Sequence, residues 1–231
     1  MLIDVVTIFP DMFHGVVNQS MLKIARERGK VEIRLTDLRD FTTDRHRSVD
    51  DRPFGGGPGM IMKVEPVVAA VRSIEADGPE ATRILVSPQG ERFDQRMAGE
   101  LATKGRLLLI AGHYEGYDER IRTILRPREI SVGDYVLTGG ELPCMTIIDA
   151  VVRLLPGVLG ADDAHDCESF TDGLLEYPQY TRPAEFEGHA VPAVLRSGDH
   201  QRVAQWRKAQ GLKRTGERRP DLLDRDGDEK E

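Results

Sequence analysis

This sequence predicts an α/β fold built on a mostly parallel sheet, with a small helical domain at its C-terminal end. Three observations carry that prediction. Short apolar, β-branched stretches alternate with helical patterns over residues 1–160, as strands joined by helices do. Three of those strand-like stretches run into glycine-bearing turns, and in parallel sheets ligands sit beyond the carboxyl ends of the strands. After Leu159 the composition turns acidic and then basic.

Leu2 to Phe9 is apolar and stops at Pro10, which reads as a buried strand. A helix is expected through Met21, Leu22, Ile24 and Ala25, closed by Gly29, and Val31 to Leu35 alternates like a strand. Asp37 to Gly59 is polar and rich in Asp, Arg and Gly, and a loop of that length is functional or mobile. Arg83 to Ser87 then ends in Ser87-Pro88-Gln89-Gly90, and Arg106 to Ala111 ends in Gly112-His113-Tyr114-Glu115-Gly116. Glu129 to Val132 leads into Gly133-Asp134-Tyr135-Val136-Leu137-Thr138-Gly139-Gly140. Helical patterns fill the gaps at Val64 to Ala76, Phe93 to Thr103, Asp118 to Leu125 and Glu141 to Leu155.

Composition bounds the rest. The chain has 231 residues, enough for a full core without staples. No run approaches the roughly 18 apolar residues of a membrane span, and Met1-Leu2-Ile3-Asp4 does not open like a signal peptide. Only Cys144 and Cys167 are present, which excludes a disulfide scaffold and fits a reducing cytoplasm. The net charge of −7 counts against a nucleic-acid partner when taken whole. By segment it divides: residues 160–181 carry −6, residues 182–219 carry +5, and the last twelve carry −4. The expected organisation is therefore a domain over 1–160, an acidic flexible linker over 161–175 and a helical domain over 176–231.

The glycine turns present main-chain N–H groups to a ligand. None is a GxGxxG fingerprint, there is no P-loop, and Gly55-Gly56-Gly57-Pro58-Gly59 lacks the lysine of one. Such turns suit a ligand read by main-chain groups, such as an adenosine; the bland alternative is that the glycines only make tight corners. His165, Asp166 and Cys167 fit no zinc signature, so no metal ligands are assigned.

Several stretches, taken together, resemble the bacterial tRNA (guanine-N1)-methyltransferase family of knotted SPOUT-class enzymes. They are Ile3 to Pro10, Pro53-Phe54-Gly55-Gly56-Gly57-Pro58-Gly59-Met60, the three glycine turns, Glu141-Leu142-Pro143, and Pro156 to Gly160. Tyr177 to Pro183, Trp206-Arg207 and Arg214-Thr215 extend the likeness to about Leu223. The resemblance implies S-adenosylmethionine bound in a trefoil knot formed by the three turns; composition cannot show a knot, and knots are so rare that the sequence pattern alone would reject one. The implied cofactor positions are Gly112, Val132, Gly133, Asp134, Tyr135, Val136 and Leu137. Ser87, Pro88, Tyr114, Glu115, Gly139 and Gly140 flank them, and Glu176 matches a second family carboxylate. Magnesium is the one metal the family suggests, without a position.

The implied reaction is methyl transfer to N1 of the guanine immediately 3′ of the anticodon, position 37 of tRNA. Guanine N1 carries a proton at neutral pH, so the reaction needs a base near N1 and a cation or donor where charge develops on O6. The family places its base at Glu168, where aspartate is common, and its arginine at Arg153; Asp166 is the substitute for Glu168. For tRNA, Asp50 is expected to accept from a guanine edge, and Arg182, Arg207 and Arg214 to meet phosphates. Trp206 reads as the core anchor of the helical domain. The family works as a homodimer. Rival readings are a knotted RNA methyltransferase acting on another base or a ribose, and a non-catalytic RNA-binding protein.

Overall fold

The structure is a computed structural model that describes residues 1–159 and 168–224. The chain divides into two compact units, Met1–Asp162 and Asp163–Glu231.

The first unit contains β1 (Leu2–Thr7), β2 (Glu32–Asp37), β3 (Asp50–Asp51), β4 (Ile61–Met62), β5 (Thr82–Arg92), β6 (Arg106–Ile110) and β7 (Arg128–Ser131). Its helices are α1 (Asp11–Val17), α2 (Ser20–Glu27), α3 (Val64–Glu75), α4 (Gln95–Ala102), α5 (Glu119–Leu125) and α6 (Glu141–Val152). Five strands form one parallel sheet in the order β2-β1-β6-β5-β7. Side-chain alternation along the buried strand β6 sets the layers. Leu107 and Leu109 join the core formed with α1, α2, α4 and α6, while Leu108 and Ile110 join the one formed with α3 and α5. A sheet covered on both faces explains why these strands read as continuous apolar runs.

Three expectations change. The helix expected through Met21 to Ala25 is α2, but an unexpected helix, α1, precedes it, the two being separated by a break at Asn18 and a positive φ at Ser20, the first residue of α2. The polar stretch after β2 is not all loop: Leu38–Phe41 forms a 3₁₀ turn, and β3 pairs antiparallel with β4. β5 does not end at Ser87 but runs on to Arg92, and Val86 and Glu91 both oppose Ile130 of β7. Residues 87–90 are therefore extruded from the ladder as a wide bulge. Gly90 permits it, since a Cβ there would lie 2.4 Å from the Ile130 nitrogen.

One buried ion pair anchors the sheet at its other end. Arg106, the first residue of β6, donates from Nε to the Asp4 carboxylate at 2.8 Å. Its other nitrogens donate to the carbonyls of Ile74, Asp77 and Pro79 at 2.8 to 3.0 Å. The guanidinium thereby satisfies a carbonyl in the last turn of α3 and two in the turn beyond it. Both side chains are almost fully buried.

In the second unit, α7 (His200–Arg218) is followed by α8 (Asp221–Asp224). Asp199 caps α7 by accepting from the Arg202 N–H at 3.1 Å. The unit also holds a small hairpin of β8 (Glu185–Phe186) and β9 (His189–Ala190). Thr215, fully buried on α7, accepts from the Leu175 N–H at 2.8 Å, and Ser169 accepts from the Glu176 N–H at 3.1 Å. Residues 168–175 of the expected linker thus carry ordered contacts to this unit. Residues 161–167 of it lie outside the described residues.

Removing one partner of a buried ion pair strands the other. Asp4→Ala is expected to cost about 3–5 kcal/mol, read as a lower urea midpoint. Glu32→Ala, which breaks the exposed pair with Arg34, should leave the midpoint near that of the wild type.

Candidate active site

Beyond the carboxyl ends of β5, β6 and β7 lies a cavity of about 240 Å³. Its floor is a main-chain crossing. The Gly140 N–H donates to the Gly112 carbonyl at 2.7 Å, and His113 and Gly139 form an antiparallel bridge beside it. Neither glycine accommodates a side chain. A Cβ on Gly112 would lie 2.3 Å from the Tyr117 ring, and one on Gly140 would lie 2.6 Å from the Gly112 nitrogen. Tyr117 fills the space beneath, its hydroxyl near the carbonyls of Ile110 and Val86 at 3.0 and 3.3 Å. Burial, with Cys144 and Glu141 nearby, pushes that hydroxyl's pKa well above its ordinary value.

A second contact set fixes where α6 starts. Glu141, the first residue of α6 and fully buried, accepts from the Thr7 hydroxyl at the end of β1 at 2.8 Å. Its other oxygen lies 3.6 Å from Nδ1 of His113. Cys144, one turn into α6, is a buried free thiol whose pKa burial pushes well up, so it is no nucleophile at neutral pH. Cys167 lies outside the described residues.

The three turns supply the walls. From the β5 bulge come Ser87 and Pro88; from the second turn, Gly112, Tyr114 and Glu115. Val132, Gly133, Tyr135, Val136, Leu137, Gly139 and Gly140 come from the third. Twelve of the fourteen expected cofactor residues thus surround one cavity. Asp134 is exposed and does not line it, and Glu176 belongs to the second unit. Lining residues that sequence reasoning missed include Gln89, His113, Thr138, Arg122 and Pro143. Gln89, His113 and Thr138 sit inside the quoted turns and were legible there. Arg122 was not: it reaches the cavity from α5 and is held by Glu129 on β7 at 2.9 Å.

Asp50, on β3, stands close to the rim. Burial first, and then the charge of Asp50, raise the pKa of the Tyr114 hydroxyl. Arg153 is half-buried at the C-terminal cap of α6, and Glu168 is half-buried in the second unit. Also in the second unit, Arg207 lies over the Tyr177 ring at 4.8 Å, Arg214 donates to the Glu176 carbonyl at 3.1 Å, and Arg182 is exposed. Trp206 is half-buried against Tyr180. His165 and Asp166 lie outside the described residues. Among the described residues no group of three or more His, Cys, Asp or Glu side chains is placed to hold a metal.

The crossing sets a sharp steric test. Gly140→Ala is expected to cost about 1–3 kcal/mol through overpacking against main chain. Gly99→Ala, inside α4 with nothing within 4 Å of its added Cβ, should instead gain about 0.5–1 kcal/mol. Thermal denaturation of the two variants reads both signs.

Comparison with known proteins bears on this arrangement. The family described as tRNA (Guanine-1)-methyltransferase TrmD matches residues 1–225. A protein of Geobacillus kaustophilus named tRNA (guanine-N(1)-)-methyltransferase is 57% identical over 224 residues, covering 97% of this chain and 92% of that protein. Proteins of the same name from Moorella thermoacetica and Dictyoglomus turgidum are 59% and 56% identical, each covering at least 96% of this chain and 90% of the relative. A cavity walled by three glycine turns, in a chain matched along nearly its whole length, leads to one assignment: the chain belongs to the tRNA (guanine-1)-methyltransferase family.

Proposed function

We propose that this protein transfers a methyl group from S-adenosylmethionine to N1 of the guanine immediately 3′ of the anticodon of tRNA. The observation that carries the reading is the convergence of the three turns on one cavity in a member of this family.

The cavity suits such a donor. Its walls combine the main chain of the glycine turns and apolar groups such as Val86, Ile130, Val136 and Leu137 with polar side chains such as Ser87, Gln89 and Thr138 that could fix a ligand's orientation. Glu115 sets a carboxylate on its wall, a complement to the positive sulfonium and ammonium groups of the donor. When bound, S-adenosylmethionine supplies a methyl group on a cationic sulfur. The chain must then do three things: hold N1 in line with that methyl, accept the N1 proton, and stabilise charge on O6. Glu168 is the proposed proton acceptor and Arg153 the proposed O6 partner. Proton loss from N1 to the carboxylate leaves the lone pair that forms the new N–C bond as the S–C bond breaks. Asp50 beside Tyr114 is the proposed contact to a guanine edge. Arg182, Arg207 and Arg214 are the proposed phosphate contacts in a basic segment that offsets the acidic whole.

The reading includes a trefoil-knotted path at the three turns, supported by the return of residues 139 and 140 onto 112 and 113. It also includes a homodimer with a shared pocket. Support comes from exposed apolar side chains at Phe9, Met12 and Val16, and at Leu142 on α6, which packs against α1. Among the described residues no helix is long and apolar enough to cross a membrane; with tRNA as the substrate, the proposed location is the cytoplasm. Magnesium is proposed only as a weakly held, hydrated ion with no assigned position.

The test uses methyl-labelled S-adenosylmethionine and an unmodified tRNA transcript. Label should enter the transcript and vanish when the target guanine is replaced by adenine. Label that persists on the replaced transcript would assign another base or a ribose, and no label on either would make the protein a binder. Glu168→Gln is expected to lower turnover by at least about 100-fold, the low end of general-base contributions, with donor affinity retained; unchanged turnover would remove Glu168 from its role. Met12→Glu combined with Val16→Glu should yield monomers in sedimentation velocity and lose transfer with them.

A further inference from the structure

Phe54 is a large apolar side chain left wholly in solvent, at 102% relative exposure. It sits at a corner of the tight turn Pro53 to Gly56, closed by the Gly56 N–H donating to the Pro53 carbonyl at 3.2 Å. An aromatic ring at such a corner gains nothing for folding; it is available to something that binds.

The loop that bears it is tied to the cavity at both ends. It spans β3 to β4, whose pairing sets Asp50 opposite Met62. At its start, Asp50 is near enough to the Tyr114 hydroxyl to affect its ionisation. At its end, the Glu115 N–H donates to the Met60 carbonyl at 3.0 Å, and the Met62 N–H donates to the Gly116 carbonyl at 2.9 Å. Gly59 lies so close to Glu115 that a Cβ there would be 2.4 Å from its Cγ. Tyr114, Glu115 and Gly116 line the cavity, so the loop springs from the rim and returns to it. Between those anchors Gly55, Gly56, Gly57 and Gly59 all have positive φ, and a Cβ on Gly55 or Gly56 would meet nothing within 4 Å. The tip is thus an uncrowded glycine turn held between fixed feet. The residue two before Phe54 is the exposed Arg52.

We infer that Phe54 is the stacking residue for the target base: its ring packs on the guanine drawn out of the RNA, with Arg52 near the adjoining phosphate. An aromatic ring with a cation beside it is the recurring device for holding an unstacked base, and a base must leave its stack to enter a pocket of this size. The inference rests on the function proposed above and adds a base-positioning residue to it.

Phe54→Ala, Phe54→Leu and Phe54→Trp separate stacking from mere apolarity. Each is assayed with the unmodified transcript, and donor affinity is measured by calorimetry. The alanine and leucine variants should lose about five- to 100-fold in kcat/KM for tRNA, the worth of one base–aromatic stack, while Phe54→Trp keeps most activity and donor affinity stays unchanged. A transcript carrying 2-aminopurine at the target position should be quenched on binding wild type and remain bright on the alanine variant. Equal kcat/KM for wild type and both aliphatic variants overturns the inference. So does a loss of donor affinity, which would make Phe54 part of the cofactor wall, or a loss of dimerisation, which would bury it against a second copy. If the wild type itself transfers no methyl group, the functional reading fails before this one is tested.

Discussion

The crossing of Gly112 and Gly140 is the contact on which the site depends. A 2.7 Å main-chain hydrogen bond joins them, and neither position has room for a Cβ. Because the third turn must come back to the second at that point, α6 starts where it does. Its first residue, Glu141, is then delivered to Thr7 on β1, and its apolar face to the core beneath the sheet. The same crossing sets Tyr117 as the filling beneath Gly112. A close approach of two backbones thus shapes the cavity, positions a helix and ties the turns to the sheet.

Around that rigid floor the rim is exposed. Tyr135, Val136 and Leu137 extend their side chains into solvent, as does Phe54 on the hairpin loop. The division is physical. The floor holds its shape through buried main-chain contacts that admit no alternative packing. The rim carries apolar groups that gain partners only on binding. An enzyme that must enclose a small donor and then admit a base needs both properties, and the fold separates them into different segments.

Much of this was legible in the sequence where the signal is local. Alternating apolar stretches located the sheet strands, and the glycine turns marked its functional end. What failed was non-local. Arg106 and Asp4 are 102 residues apart, and no pattern links a strand-opening arginine to the carboxylate it neutralises. The extrusion of residues 87–90 was hidden because the ladder resumes at Glu91, so a turn and a bulge read alike. The polar stretch after β2 concealed a two-residue hairpin, too short to leave a periodicity. Arg122 reaches the cavity from a helix, outside every glycine motif. The knot and the roles of Glu168 and Arg153 came from family resemblance alone. The net charge of −7 was the least informative number, because it averages an acidic segment with a basic one.

The central claim is that the three turns form one donor site on the floor set by the glycine crossing. Amide hydrogen exchange with and without S-adenosylhomocysteine tests it most directly. The account predicts added protection confined to residues 86–90, 112–117 and 131–140, with the basic segment 182–219 unchanged. Protection in only one turn, or centred on the basic segment, would contradict it.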